Sequence, residues 1–460
     1  MFKSIFNDKV FLRRVVSVSI PIMVQMAITN FVSLLDNLMV GQVGQIPMSG
    51  VSIVNQLLFV FNLCIFGATS GAGIFTAQLH GSQNHEGIRY TFRFKILISI
   101  ILTALGIGIF LCWSDPLIGL YLTGEGDAAD AADVLTYGRS YLQMMLFGLL
   151  GFGLSTSYSG TLRETGQTAV PMIAGIVAVL VNLCLNYILI FGHFGAPAMG
   201  VQGAALATVI SRYVELAIVA GWTHLHGAQH PFIRGAYRSL YIPKKLLFSI
   251  ISKGSPILLN EFLWSTGMAM LSQCYSTCGL DVVPAMNICS TIYNLGSVAF
   301  LSMGNSVGII MGQMLGAGTP RQEILENNRK LTIISTLCGA VFGSLMIATS
   351  GLFPSLYKAT DEVRNLAALL ICISALAMPF SAIAHASYFT LRSGGKTMIT
   401  VIFDSGFMWC ISVPLAFVLT RFVHIPILPL YAICQSFDVI KCVLGSIMVR
   451  KGIWIQNLAE

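Results

Sequence analysis

The sequence predicts an all-α integral membrane protein with twelve transmembrane helices. Of its 460 residues, 55% are hydrophobic and only 10% are charged, whereas soluble domains carry roughly 25% charged residues. Apolar stretches of the roughly 20 residues needed to cross a bilayer recur along the whole chain. A water-soluble core could not bury so much apolar surface, so a soluble globular protein is excluded.

The twelve apolar stretches are each long enough to cross about 30 Å of hydrocarbon at the helical rise of about 1.5 Å per residue. The predicted spans are 15–40, 51–79, 92–113, 137–159, 170–191, 201–222, 250–278, 283–312, 331–353, 363–390, 398–420 and 427–449. With so much of the chain in spans, we expect it to be almost entirely helical.

The basic residues set the orientation of these spans. With the N-terminus inside, twenty of the 26 Lys and Arg residues fall on the inner side, and only Arg139, Lys358, Arg364 and Arg421 fall on the outer side. Such a bias is the rule for cytoplasmic loops. We therefore predict a multi-pass protein of the cell (plasma or inner) membrane with both termini cytoplasmic. The net charge of +7 then reflects topology, and we expect no nucleic-acid partner.

The eleven cysteines do not indicate a metal site. The sequence has no CxxC motif, and several of the cysteines, such as Cys64, Cys184 and Cys372, lie within apolar spans. Buried thiols of this kind behave as small hydrophobic residues. We expect no cofactor apart from a coupling ion.

An internal repeat divides the chain into two homologous lobes of six helices. Pro21 in span 1 corresponds to Pro256 in span 7 at an offset of 235 residues, and AQLHG at 77–81 corresponds to GQMLG at 312–316 at the same offset. Because six is an even number of spans, both copies cross the membrane in the same direction.

A second pair of segments fixes the extent of the repeat. LRETGQT at 162–168 matches LRSGGKT at 391–397 at an offset of 229 residues. The predicted lobes are residues 1–230 with helices 1–6 and residues 231–460 with the basic cytoplasmic linker and helices 7–12, and a central cleft lies between them.

Several segments together resemble the multidrug and toxic compound extrusion (MATE) family over essentially the full length. They are PIMVQMAITNFVSLLDNLMVG in span 1, the paired AQLHG and GQMLGAG segments, the paired LRxxGxT segments, GVQGAALATVIS at the start of span 6 and PILLNEFLW in span 7. Each segment is weak evidence alone, but their order and register make the match specific. The resemblance implies a V-shaped two-lobe antiporter, not an enzyme, that exports amphipathic and often cationic compounds in exchange for Na⁺ or H⁺.

Ionisable residues within the spans indicate the transport pathway, because a charge at the bilayer centre costs about 3 kcal/mol even on an insertion scale. The acids within spans are Asp36, Glu215, Glu261, Asp404 and Asp438. Two of them have a basic residue three positions away on the same helix face, which predicts the ion pairs Arg212–Glu215 and Asp438–Lys441. These pairs either lock helices or the cytoplasmic gate, or take a direct part in coupling.

Asp36 has no partner within reach on its own helix. It is expected about 6 Å below the outer end of span 1, level with Asn182 and Asn186 on one face of span 5 and with Thr208 on span 6. A carboxylate, two carboxamides and a hydroxyl form an oxygen set that suits Na⁺ and would equally tune a protonatable carboxylate. We predict a cation-coupling site at these four residues. The alternative is a hydrogen-bonded cluster that only joins helices.

The family resemblance implies the same site. In the MATE family, the acid of span 1, two polar positions of span 5 and a threonine of span 6 form the coupling site of the N-terminal lobe, and these four residues match those positions. Some relatives carry a second acid where this chain has Asn186, so the choice between Na⁺ and H⁺ stays open. Position 271, the repeat partner of Asp36, is Leu271, so the two lobes have specialised.

The C-terminal lobe offers a second candidate region for substrate binding or coupling. Glu261 is followed one turn later by Trp264, and the two could present a carboxylate and an aromatic wall to a cationic substrate. The alternative is a hydrogen bond from Glu261 to a neighbouring helix. His385 and Asp404 are both expected near the inner third of their spans, where they could form a carboxylate–imidazole pair. A satisfied buried histidine is the alternative for His385.

We therefore predict a monomeric secondary active antiporter that works by alternating access and binds small amphipathic substrates and membrane lipid. A lipid-linked oligosaccharide flippase of the same superfamily is one alternative, although its pyrophosphate would require unpaired cationic residues, and Arg212 and Lys441 each have an acid nearby. An intramembrane enzyme using His385 and Asp404 is the other. It would lack any HxxxxD, GxSxG, HExxH or Walker segment. The substrate and the coupling ion stay undecided.

Overall fold

Helices dominate the structure, as the composition predicts. The computed structural model describes residues 8–121, 128–279, 281–357 and 359–459, and within these ranges the chain forms twelve long helices and no strand. The helices are α1 (Lys9–Gly41), α2 (Gln45–Gly81), α3 (His85–Gly119), α4 (Ala128–Glu164), α5 (Ala169–Phe191), α6 (Val201–Leu225), α7 (Lys244–Ser276), α8 (Val282–Gly316), α9 (Arg321–Thr349), α10 (Asp361–Ser393), α11 (Thr397–Val423) and α12 (Ile427–Lys451). The predicted fold class is confirmed.

The predicted spans match these helices one to one. Ten of the twelve lie inside an observed helix, whereas 250–278 and 331–353 run past the helix ends at Ser276 and Thr349. Most helices are longer than their predicted spans because polar residues extend the helix beyond the apolar segment. The hydrophobic pattern therefore locates the membrane-crossing part of each helix better than its ends.

Eleven of the helices in the described ranges are long and apolar enough to cross a membrane by themselves. The exception is α4, whose central segment includes Gln143, three glycines and several hydroxyl side chains. Its polar residues face the interior of the protein, since Ser155, Ser157 and Ser159 are all at most 2% exposed. A helix with a polar buried face can still cross a membrane when neighbouring helices cover that face.

The chain packs into two compact units. Unit 1 contains residues 1–23, 77–84 and 255–460, and unit 2 contains residues 24–76 and 85–254. The linker and the start of α7 belong to unit 2, whereas the ends of α1 and α2 divide between the units. The predicted lobe boundary at residue 230 stays a prediction.

Unit 1 is organised around α8. This helix is the most buried of the candidate spans, with 78% of its apolar window inside the protein, and it packs against α9 and α10. The core includes Ala285, Leu370 and Met378, which are fully buried. Leu271, the repeat partner of Asp36, lies in the same core and is 6% exposed.

Unit 2 has a separate core. Helix α6 packs against α4 and α5, and α3 packs against α4. The fully buried side chains Val54, Ile65 and Ala205 lie in its hydrophobic cluster. Most members of this core are small or aliphatic, with the aromatic residues Phe61, Phe110 and Tyr141 among them. Small residues allow close packing of helices in a membrane protein.

The paired AQLHG and GQMLG segments meet inside unit 1. A Cβ atom on Gly81 would overlap the carbonyl of Gln313, and one on Gly316 would overlap the carbonyl of Gln78. The two contacts are reciprocal, because Gly81 and Gly316 are repeat partners and so are Gln78 and Gln313. The glycines of both segments are therefore needed for close approach of the ends of α2 and α8, which explains a repeated motif that has no catalytic chemistry.

The paired LRxxGxT segments form equivalent turns in their own units. Gly166 and Gly395 have positive φ angles of 88° and 73°, and Leu162 and Leu391 are both fully buried. The left-handed conformation favours glycine, which explains why both segments have a glycine at their fifth position.

Helix α11 departs from regular α geometry. It contains three π-helical turns, at Ile402–Gly406, Met408–Ser412 and Leu419–Val423. Pro414 lies at the start of the intervening α-helical turn, where a proline removes one backbone donor. The first π turn contains Asp404, and π turns often mark functional positions within helices.

Candidate functional site

The predicted coupling residues come together in unit 2. Asn186 Nδ2 donates to Asp36 Oδ1 at 2.6 Å, and it lies 3.1 Å from Asn182 Oδ1. Asn182 Nδ2 lies 3.2 Å from Thr208 Oγ1. Three helices, α1, α5 and α6, thus bring a carboxylate, two carboxamides and a hydroxyl into one cluster.

The spacing on α5 explains how this cluster forms. Asn182 and Asn186 are four residues apart, so both point to one face of the helix, and they are 5% and 1% exposed. Thr208 also donates to the carbonyl of Ala204 one turn earlier, at 3.0 Å. That bond fixes the Thr208 hydroxyl with its lone pairs toward Asn182.

The Asn182 carboxamide can face Asp36 in two ways. With its nitrogen toward the acid, it donates to both carboxylate oxygens at 2.9 and 3.2 Å, and its oxygen accepts from the backbone N–H of Thr208 at 3.3 Å. With its oxygen toward the acid, three acceptor oxygens converge without a hydrogen between them. The first arrangement satisfies both the carboxylate and the amide, so the hydrogen bonds favour it.

Another acceptor of the cluster lacks a partner. Asn186 Oδ1 is buried, and no donor in the described part of the chain reaches it. A buried acceptor of this kind is costly unless something fills its bonding capacity. This oxygen is an unused acceptor on the same carboxamide whose nitrogen donates to Asp36.

No basic residue neutralises Asp36 directly. Among the described residues, none of the salt bridges includes it. Arg212 is near enough for its charge to act on the carboxylate, but its own partner is Glu215, at 3.7 Å. The predicted Arg212–Glu215 pair is therefore present in the structure, beside the Asp36 cluster.

Sequence reasoning missed two neighbours of this cluster. Tyr141 on α4 donates to Asn55 Oδ1 on α2 at 3.3 Å, and its hydroxyl is close enough to interact electrostatically with both Asp36 and Arg212. Arg212 also lies over the ring of Phe152, 5.0 Å from its centre. A polar residue on a mostly apolar span, such as Asn55, is the signal that could have revealed them.

Unit 1 contains a different acid cluster, and it corrects one prediction. Lys441 Nζ pairs with Asp404 Oδ1 on the neighbouring helix at 3.0 Å, not with Asp438. Asp438 instead accepts a hydrogen bond from Ser381. A three-residue spacing on one helix permits a pair, but the long lysine side chain reaches across to the acid that the π turn of α11 presents.

Asn260 on α7 is the other hydrogen-bond partner of Asp404. Its Nδ2 donates to Asp404 Oδ2 at 3.2 Å and also lies 3.3 Å from the Tyr388 hydroxyl on α10. Ser405 donates to Asn260 Oδ1 at 2.6 Å. The Asn260 side chain, only 2% exposed, thus links the Asp404–Lys441 pair to α7 and α10.

The predicted His385–Asp404 pair is wrong. His385 Nδ1 lies 2.9 Å from the carbonyl of Ser381 one turn earlier, and its ring packs against Phe300 at 4.8 Å. Asp404 is already satisfied by Lys441 and Asn260. The alternative interpretation of a satisfied buried histidine describes His385 better.

Glu261 and Trp264 stay open as a substrate-binding pair. In the described residues, Glu261 makes no hydrogen bond, although the charges of Arg392 and Asp404 act on it. Trp264 is 36% exposed, and the two residues share a face of α7 because they are three positions apart. No contact joins them among the described aromatic and hydrogen-bond contacts.

The most buried ion pair of unit 2 was also missed. Lys95, fully buried on α3, pairs with Glu164 at the end of α4 and lies 3.2 Å from Thr161 Oγ1. Lys95 is one of the twenty basic residues predicted to lie on the inner side. Glu164 belongs to the LRETGQT segment, whose repeat partner has Ser393 at the equivalent position, and this difference between the copies was the available signal.

The repeat partner of Lys95 is Lys330, and it has different partners. Lys330 pairs with Asp8 at 3.1 Å and with Glu326 at 3.1 Å. Asp8 also accepts from the backbone N–H of Phe11 at 3.1 Å, as a helix N-cap does. The Phe11 amide and the Lys330 ammonium hold the pKa of the Asp8 carboxyl below its usual value.

In the described ranges the chain has twelve long helices, eleven of them apolar enough to cross a membrane, and acids lie within these helices. Such acids are typical of the pathways of polytopic membrane transporters. A sequence profile of the family described as MatE matches residues 21–188 and 256–418, once in each half of the chain. The chain therefore belongs to the MatE family. Its members are transporters rather than enzymes.

Individual relatives agree with this assignment. The chain is 25% identical over 452 residues to a "Probable multidrug resistance protein NorM" of Thermotoga maritima, covering 96% of this chain and 93% of the relative. It is 24% identical over 411 residues to "Multidrug resistance protein PmpM" of Pseudomonas aeruginosa, covering 88% and 83%.

A solved structure shows the same fold. It is described as the outward-facing conformation of a multidrug resistance MATE family transporter of the MOP superfamily. The TM-score is 0.86 at 18% identity, with 96% of this chain and 95% of the other covered.

Proposed function

We propose that this chain is a cation-coupled antiporter that exports amphipathic, often cationic compounds across the cell membrane, and that Asp36 is its coupling acid. The multidrug resistance proteins it resembles support export as the activity. The observation that carries the coupling role is a buried carboxylate surrounded by amide and hydroxyl groups, without a lysine or arginine within salt-bridge distance in the described chain.

The missing internal cation matters because coupling requires a site that changes its charge. A ligand shifts a conformational equilibrium only by its difference in affinity for the two states. An acid paired permanently with a lysine ammonium group would form a neutral pair in both conformational states. Asp36 can instead be neutralised by a proton or Na⁺ in one state and left charged in the other.

The two asparagines of α5 stabilise the charged form of Asp36. When Asp36 is charged and no cation is bound, the amide nitrogens of Asn186 and Asn182 donate to the carboxylate. A proton or Na⁺ on Asp36 would compete with these hydrogen bonds, so binding of the ion would change the contact between α1 and α5.

The test is dye export from inverted vesicles under separately imposed Na⁺ and proton gradients. We expect Asp36→Asn to retain its fold but to lose gradient-driven export, because the amide keeps the volume and hydrogen bonds of the acid without its charge. Asp361→Asn is the matched control, since Asp361 is an exposed acid at the start of α10. Wild-type export by Asp36→Asn would refute the site, and the gradient that drives the wild type identifies the ion.

A further inference from the structure

A second site lies in the linker between α6 and α7, within unit 2. The linker forms a cavity of about 690 Å³ whose lining includes His224, Ile233, Arg234, Tyr237 and Arg238. Its volume falls in the range of roughly 300–1,000 Å³ that is usual for small-ligand sites. None of these residues belongs to the Asp36 cluster.

The wall of this cavity is rigid because α3 holds the linker in place. Arg93 donates three hydrogen bonds to the carbonyls of Ala236, Tyr241 and Gly235 at 2.7 to 2.9 Å. Arg89 donates to the carbonyl of Phe232 at 3.3 Å. The linker is therefore a built element of the fold rather than a flexible connection.

A tight turn places the first arginine. The N–H of Ala236 donates to the carbonyl of Ile233 at 3.1 Å, and Gly235 has a φ of 73°. With Arg234 in extended conformation at φ −66° and ψ 115°, this is a type II turn, which requires a positive φ at its third residue. The turn leaves Arg234 exposed at the cavity.

Both arginines are available to a ligand. The guanidinium groups of Arg234 and Arg238 take part in no salt bridge or side-chain hydrogen bond with any described residue, and both side chains are exposed. The linker segment 224–245 contains no Asp or Glu. Two unpaired guanidinium groups facing one cavity form a site for an anion, and a phosphate group matches their planar donor geometry.

An aromatic wall completes the site. Tyr158 hydrogen-bonds to both His224 and Tyr237, and the rings of His224 and Tyr237 stack at 5.8 Å with planes 23° apart. These contacts hold the two lining aromatic side chains in place. The cavity lining therefore combines fixed aromatic rings with two arginines.

The linker and the start of α7 carry exposed apolar side chains. Leu225, which lines the cavity, is 85% exposed, and Leu240 and Phe248, farther along the chain, are 68% and 75% exposed. These three side chains form the apolar rim of the linker. Exposed apolar side chains next to arginines are typical of surfaces that meet the headgroup region of a membrane. The linker lies on the side that the basic residues assign to the cytoplasm, where anionic lipid headgroups attract arginine.

We propose that this linker cavity binds a phosphate group, presented by an anionic phospholipid headgroup of the inner leaflet or by a soluble phosphate compound. Arg234 and Arg238 bind the phosphate oxygens, and the apolar rim contacts the acyl or glycerol part. Because α6 carries Thr208 and Arg212 while the linker continues from its end, a bound headgroup would also stabilise the position of α6.

The experiment uses the delipidated full-length protein in detergent. Native mass spectrometry counts bound phosphatidylglycerol and phosphatidylcholine, and a parallel titration uses inorganic phosphate and glycerol phosphate. The variants are Arg234→Gln/Arg238→Gln and the matched control Arg450→Gln/Lys451→Gln, which removes the same charge from the end of α12. Thermal unfolding without ligand checks that each variant is folded.

We expect phosphatidylglycerol to bind the wild type and the control, and to bind the linker variant on the order of 30-fold more weakly, at about 1 kcal/mol per arginine. Equal binding of glycerol phosphate would assign the site to a soluble ligand. Binding that survives in the linker variant, or falls as much in the control, would overturn the proposal. So would a wild type that binds neither lipid nor phosphate.

Discussion

The two acid clusters within the helices differ in one component. In unit 2, Asp36 is surrounded by Asn182, Asn186 and Thr208 without a direct basic partner among the described residues. In unit 1, Asp404 has a similar amide neighbour in Asn260 but also a salt bridge to Lys441. Asp36 can therefore take a proton or a cation from solution as its counter-charge, whereas Asp404 has Lys441 as a permanent one.

The difference shows how a duplicated fold can use one copy for coupling. Leu271 occupies the position that corresponds to Asp36 and is part of the apolar core of unit 1. The acid of that unit comes instead from α11, at a π turn. Because Lys441 already supplies a positive charge to Asp404, we predict that the second cluster does not respond to the ion gradient.

The largest expected effect separates the two acids by export. Asp36→Asn should reduce gradient-driven export by about tenfold or more, since the differential affinity for the ion is lost. Asp404→Asn should retain a larger share of export and lower thermal stability instead, because it leaves the Lys441 ammonium buried without an anion. Equal loss of export in both variants, measured in the same vesicles, would remove the asymmetry.

The next effect tests Lys441 as the internal cation. Lys441→Met should lower the free energy of unfolding by about 3–5 kcal/mol, because it leaves Asp404 charged and unpaired in the interior. The double variant Lys441→Met/Asp404→Asn should recover much of this loss, since it removes both charges. Chemical unfolding in detergent gives both values. No recovery in the double variant would mean that the lysine acts through packing rather than charge.

The sequence predicts the fold better than the partners of its charged residues. Spans and turns follow from local apolar length and from glycine, which are properties of one segment. The Asp36 cluster could also be predicted, because depth along three helices brings four short polar side chains to one level. The partner of Lys441 could not be predicted, because it depends on how α11 and α12 face each other. The Lys95–Glu164 pair could not be predicted either, because it depends on how α3 faces α4.

A smaller effect is the change in thermal stability that Na⁺ causes, which should differ between variants of the two clusters. If Asp36 binds Na⁺, then Na⁺ at about 100 times its dissociation constant should stabilise the wild type by about 2.7 kcal/mol. The stabilisation should vanish in Asp36→Asn and persist in Lys441→Met/Asp404→Asn. Thermal unfolding in Na⁺ against a choline control measures it. Persistence of the stabilisation in Asp36→Asn would place the ion elsewhere.

The smallest effect concerns the Arg212–Glu215 pair, which lies beside Asp36. Arg212 is 35% exposed and lies 3.7 Å from Glu215, so solvent screens the pair and its contribution should be about 1 kcal/mol or less. Arg212→Ala should still cost more than Glu215→Gln, because it also removes the contact with the Phe152 ring and leaves Glu215 with only the charge of Arg163 nearby. The amide in Glu215→Gln keeps a hydrogen-bonding group and buries no charge. Folded yield and thermal unfolding of the two variants measure the order. Equal stability of both with the wild type would show that the pair does not hold α6 in place, and Arg212 would then matter only through its charge near Asp36.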